Sequence, residues 1–146
     1  MPKLTDYTKY SDAQKYFSKE ALWELFDGNK DELNIGYECI DRHPRLNTAI
    51  RICYEKGKSR SISFGELIDN SNRFANFLKY KGLKKGDRIA IMLDPSLEFY
   101  TALFGTMKAG CVAVPLFTAF GPDGLSARIE DCLLYTSDAA DERQSV

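Results

Sequence analysis

Between residues 63 and 82 the apolar positions return every three or four residues. Leu67, Ile68, Phe74, Ala75 and Leu78, with Ser71 among them, form one face, the periodicity of a helix packed on a core. Ser63 and Glu66 frame its start as a capping box, in which hydroxyl and carboxylate each satisfy a free backbone N–H, and Gly82 is its stop. Just upstream the period changes to two: over 48–54, Ile50, Ile52 and Tyr54 share one face and Ala49, Arg51 and Cys53 the other, which predicts a half-buried strand. The glycine-containing stretch Glu55-Lys56-Gly57-Lys58 then turns the chain, so that 60–64 returns as the second arm of a hairpin.

Downstream, residues 88–93 are a continuous apolar run, which predicts a strand covered on both faces in a parallel sheet. Asp94-Pro95-Ser96 breaks the run and supplies a cap, 97–109 reads as helix closed by Gly110, and 112–116 returns as a strand. The unit is β-α-β. Shorter helices are predicted at 18–29, with Ser18 as cap and Gly28 at its end, and at 122–131, with Leu125 and Ile129 on one face. The fold class is α/β, combining a β-hairpin with a parallel β-α-β unit.

Charge alters this picture little. Twenty Lys and Arg stand against 21 Asp and Glu, a net charge of −1, which leaves no long-range positive field for a nucleic acid. The basic cluster Lys79, Lys81, Lys84, Lys85 and Arg88 flanks a turn and reads as solvated surface. The cysteines, at 39, 53, 111 and 132, include no C-x-x-C pair, against a zinc or redox motif. Cys53 and Cys111 fall in predicted strands, where a free cysteine packs as a small buried hydrophobe. With no signal-peptide core and no apolar run of membrane-spanning length, the expectation is a cytoplasmic protein with reduced thiols.

Candidate chemistry is sparse. His43, the one histidine, stands in a loop without an oriented nucleophile. Gly82 and Gly86 mark a helix stop and a turn rather than a G-x-G-x-x-G phosphate loop, and neither H-E-x-x-H nor G-x-x-x-x-G-K-[ST] occurs. No catalytic residue and no metal ligand is assigned.

Several phrases carry a resemblance. Lys84-Lys85-Gly86-Asp87-Arg88-Ile89-Ala90-Ile91-Met92-Leu93, followed at helix distance by Lys108-Ala109-Gly110-Cys111-Val112-Ala113-Val114-Pro115-Leu116, resembles the opening of the adenylate-forming, or AMP-binding, enzymes. Asn34-Ile35-Gly36-Tyr37 with Asp41-Arg42 resembles the lead-in of acetyl-CoA and medium-chain acyl-CoA synthetases. Ser71-Asn72-Arg73-Phe74-Ala75-Asn76-Phe77-Leu78 resembles a helix of the same family.

The resemblance implies the start of the large domain of an AMP-forming acid-thiol ligase. The parent would activate a small-molecule carboxylic acid with ATP and Mg²⁺ and transfer it to coenzyme A. The family's phosphate-binding loop, metal-site Thr-Glu pair, ribose-binding aspartate and mobile-domain lysine would follow Asp131, so the segment alone is expected to be inactive. Its partner is the remainder of the enzyme. Alternatives are an adenylation domain that loads a carrier protein and a small non-catalytic α/β binding module.

Within the chain, Phe117, Thr118 and Ala119 match an aromatic-Gly-Gly stretch that lines the coenzyme A nucleotide pocket in the resembling enzymes. Thr118 and Ala119 here replace the two glycines. The same residues also read as a hydrophobic loop packed under a helix. Residues 1–131 are expected to be the native part. Residues 132–146, beginning Cys132-Leu133-Leu134-Tyr135-Thr136-Ser137, resemble translated sequencing-adapter DNA and are expected to be an appendage.

Overall fold

Alternation in the first strand turns directly into a hairpin. The computed structural model describes residues 2–141, and in it β1 (Thr48–Cys53) pairs antiparallel with β2 (Ser59–Ser63), setting Ile50 opposite Ile62 and Ile52 opposite Arg60. The turn between them uses Lys56 and Gly57 at φ 61° and 74°, a left-handed pair that glycine adopts without strain and lysine adopts at a cost. The strand stops at Cys53, which leaves Tyr54 exposed and Cys53 itself exposed. Cys53 was expected inside; it points away from the face that carries Ile52, because side chains alternate along a strand.

Helix α3 (Phe64–Tyr80) starts where β2 ends. Ser63 Oγ accepts the Glu66 N–H at 3.1 Å, but only half of the expected capping box forms, since the Glu66 carboxylate reaches instead to Arg60 Nη2, at 2.9 Å. Leu67, Ile68, Ser71, Ala75 and Leu78 are buried on the predicted face. At the other end Gly82 has φ 84°, and the Leu83 N–H returns to the Leu78 carbonyl at 3.1 Å, as a glycine-terminated helix requires.

The second unit is β3 (Arg88–Ile91), α4 (Leu97–Lys108) and β4 (Val112–Pro115), with β3 and β4 parallel from Arg88 opposite Val112 to Ile91 opposite Pro115. Ser96 caps α4 by accepting the Phe99 N–H at 3.1 Å. The strand β3 is shorter than the apolar run, and the expected cover on both faces is not met among the described residues: Ala90 is exposed and Val112 is 47% exposed. Ala90 and Val114, paired across the strands, face a cleft walled by Arg128, Ile129 and Cys132 of α5 (Pro122–Asp141) instead of a packed layer.

Helices α3 and α4 pack against each other, and the core gathers Ile40, Ile52, Ile62 and Leu67 with Phe64, Leu97, Tyr100 and Phe104 around them. Burying each aliphatic side chain contributes about 1.5–3 kcal/mol, so this junction of hairpin and helices is the principal adhesive of the fold. Ile40 reaches it from a π-helical turn, Tyr37–Asp41. Two short helices precede that turn, α1 (Tyr10–Lys15) and α2 (Lys19–Trp23). The Ser18 cap on α2 forms as expected, with Ala21 N–H donating at 3.1 Å. The helix ends at Trp23 rather than near Gly28, because the Gly28 N–H is taken by the Glu38 carboxylate at 2.7 Å. Helix α5 continues to Asp141, past the predicted end at Asp131. The end of the expected appendage, residues 142–146, lies outside the described residues.

Candidate functional site

The distinctive phrases of the sequence meet in space. Asn34 Oδ1 accepts the Tyr37 N–H at 3.1 Å and starts the turn that carries Glu38 and Asp41. From that turn Asp41 Oδ1 lies 2.5 Å from Lys108 Nζ, which also donates to Asn72 Oδ1 of α3 at 2.8 Å. Gly36 lets Lys108 pass, for a Cβ there would stand 2.7 Å from Lys108 Cγ. These polar residues bind three elements into one frame.

Glu38 does the same for the amino-terminal segment. Its buried carboxylate accepts N–H bonds from Asp27 and Gly28 and pairs with Arg42, which in turn holds Asp27 and the Leu25 carbonyl. Burial works to raise its pKa, but the backbone donors of Gly28 and Asp27 and the Arg42 guanidinium outweigh that and hold it below the ordinary carboxylate value. Histidine 43 is packed, its ring stacked on Phe64 at 4.6 Å. The five basic side chains around the 82–87 turn are exposed.

A concave surface opens instead at the carboxyl ends of the two parallel strands, where open α/β sheets bind ligands. The main-chain pairing extends one residue past β4, with the Leu116 N–H donating to the Ile91 carbonyl at 2.8 Å. The loops then diverge. Phe117 is 65% exposed and meets Phe120 edge to face, with centroids 5.8 Å apart. The Arg128 guanidinium lies over the Phe120 ring, 3.8 Å from its centroid, an attraction between a cation and the ring's negative face. Thr118 Oγ1 donates to Asp94 Oδ1 at 2.6 Å, and Ala119 is exposed. Phe117, Phe120, Arg128 and Asp131 line a cleft of about 440 Å³ with Val114 to Leu116. An exposed ring near a guanidinium can stack a flat heterocycle and attract an anion.

Residues 38–135 match the family described as AMP-binding enzyme. The chain belongs to this family. Along 145 aligned residues it is 36% identical to an acetyl-coenzyme A synthetase of Rhodobacter capsulatus, covering 94% of this chain and 22% of that protein. A Caulobacter vibrioides acetyl-coenzyme A synthetase is 35% identical over 114 residues, covering 75% of this chain and 18% of that protein. Among solved structures, the acyl-CoA synthetase of Brucella canis superposes with a TM-score of 0.74 at 31% identity, covering 84% of this chain and 23% of that one. The chain thus spans about a fifth of the length of the curated relatives it matches.

Of the three sequence-predicted site residues, this AMP-binding family chain sets Phe117 and Ala119 open to solvent and turns the Thr118 hydroxyl onto Asp94. Phe117 is not packed under a helix. Asp94 and Arg128 join the cleft unforeseen, whereas Phe120 lies on the same loop, three residues after Phe117. Asp94 carried a usable signal, being polar and immediately beyond the apolar run of a strand. Arg128 carried none, because its meeting with Phe120 depends on how α5 leaves the loop. Among the described residues no three His, Cys, Asp or Glu side chains gather as a metal donor set, so no step through Mg²⁺ is assigned to this segment. No helix among them is long and apolar enough to cross a membrane.

Proposed function

We propose that the chain is the amino-terminal part of an AMP-forming acyl-CoA synthetase of the acetyl or medium-chain type, working in the cytoplasm. The parent joins a carboxylic acid to ATP, forming an acyl-adenylate and releasing pyrophosphate; the thiol of coenzyme A then attacks the acyl carbon and AMP departs. When bound, Mg²⁺ offsets phosphate charge in the first step. This segment contributes architecture and one face of the coenzyme A nucleotide site, with Phe117 offering its ring to adenine and Thr118 and Ala119 their backbone.

The observation that carries this reading is the combination of 36% identity to an acetyl-coenzyme A synthetase with an exposed aromatic loop at the strand ends. The test is to express the complete parent reading frame and follow acid-dependent ATP–pyrophosphate exchange across short and medium carboxylic acids, then thioester formation with coenzyme A. Exchange without thioester formation, and acylation of a carrier protein in its place, would move the parent to the carrier-loading class. The isolated chain should show no exchange.

A further inference from the structure

We propose that Asp94 is a positioning residue for the ligand loop: by accepting the Thr118 hydroxyl it holds the Phe117 ring open at the carboxyl ends of β3 and β4. This inference rests on the reading of Phe117, Thr118 and Ala119 as a coenzyme A contact.

The two strands end side by side, Ile91 opposite Pro115, and one further main-chain bond joins Leu116 to Ile91. Beyond it the loops have separate courses, one toward the Ser96 cap of α4 and the other toward Phe120 and α5. The 2.6 Å bond from Thr118 Oγ1 to Asp94 Oδ1 ties them together again. A hydroxyl on a carboxylate is a charge-assisted bond, shorter and stronger than a neutral pair. It fixes the backbone directly after Phe117.

On the other side Phe120 abuts the Phe117 ring edge to face, itself covered by Arg128. Phe117 is thus held by a ring contact to Phe120 and by the bond on its neighbour Thr118, while 65% of its surface stays open. An exposed aromatic with no anchor would lose its freedom on binding, at the expense of affinity; one that is already held loses less. Base stacking on such a ring is worth about 1–3 kcal/mol, and the Asp94–Thr118 bond determines how much of that is realised. Asp94 acts through Thr118 and need not touch the ligand.

The experiment titrates the complete parent enzyme with coenzyme A and reads the dissociation constant by calorimetry, with a thermal melt for every variant. Asp94→Ala and Thr118→Val should each weaken binding about fivefold, the range of one partly exposed hydrogen bond, with little change in melting. Asp94→Asn and Thr118→Ser, which keep an acceptor and a donor, should stay within about twofold, and the Asp94→Ala/Thr118→Val double variant should be no weaker than either single change. If Phe117→Ala loses binding while Asp94→Ala and Thr118→Val bind as the unaltered parent does, the positioning role is overturned and the ligand loop stands. Asp94→Asn binding as weakly as Asp94→Ala also overturns it. If the unaltered parent does not bind coenzyme A, or Phe117→Ala binds it as the unaltered parent does, the reading of the loop falls and this inference falls with it.

Discussion

Lys108 Nζ lies 2.5 Å from Asp41 Oδ1 although 67 positions separate the two residues, and the lysine side chain is only 7% exposed. The bond locks the end of α4 to the π-helical turn that delivers Ile40 to the core. Replacing Lys108 by Met keeps most of the aliphatic stem but strands a carboxylate and the Asn72 oxygen. Breaking one side of a buried pair costs about 3–5 kcal/mol; Asp41 is partly open to water, so a loss of about 2 kcal/mol is expected. Urea denaturation measures it, and an unchanged midpoint would contradict the role assigned to the pair.

Gly105 sits at the crossing of α3 and α4. A Cβ there would stand 2.8 Å from the Ser71 carbonyl oxygen and 2.9 Å from Phe74 Cδ1, and the first of these is backbone that cannot swing aside. In a free helix Gly105→Ala would gain about 1 kcal/mol. Here overpacking, worth about 1–3 kcal/mol, should reverse the sign and lower the denaturation midpoint.

Glu38 predicts an acid dependence. Its folded-state pKa is depressed, so its contribution to stability is fully present above the unfolded-state value and is lost as pH falls through the folded-state one. The groups that face it are the Asp27 and Gly28 N–H donors and the Arg42 guanidinium. Melting temperatures recorded from about pH 7 to about pH 3 should decline for the unaltered chain, and Glu38→Gln should start lower and decline less. Parallel curves would exclude Glu38 as a contributor.

Thiol reactivity separates the cysteines. Cys39 and Cys53 are exposed, whereas Cys111 is buried, its Sγ 3.4 Å from the Lys84 carbonyl. Burial, reinforced by the Asp87 carboxylate, raises the Cys111 thiol pKa, and the thiolate is the reactive form. Alkylation of the native chain followed by peptide mass analysis should modify Cys39 and Cys53 well before Cys111. Equal rates would mean that the β4 region opens freely.

Local signals carried much of the architecture. Helix caps at Ser18, Ser63 and Ser96, the glycine stop at Gly82 and the period-two strand over Ile50 and Ile52 all appear where residue type and spacing put them, since each depends on neighbours a few positions away. Errors arose where a distant partner competed. Glu66 turned to Arg60, the Gly28 N–H went to Glu38, and the apolar run after Arg88 overstated both the length of β3 and its cover. Phe117, Thr118 and Ala119, with Phe120 on the same loop, were legible beyond a strand, whereas Asp94 and Arg128 entered the cleft only by approach in space.

By itself, then, the sequence determined the order and kind of the main elements and the family to which its phrases point, because backbone preference, capping and hydrophobic period act over a few residues. The tertiary structure alone decided which polar side chains meet: Asp41 with Asn72 and Lys108, Glu38 with Arg42, and Asp94 with Thr118. Those encounters depend on distances between segments far apart along the chain, and pairing and desolvation energies exist only once packing has brought the charges together.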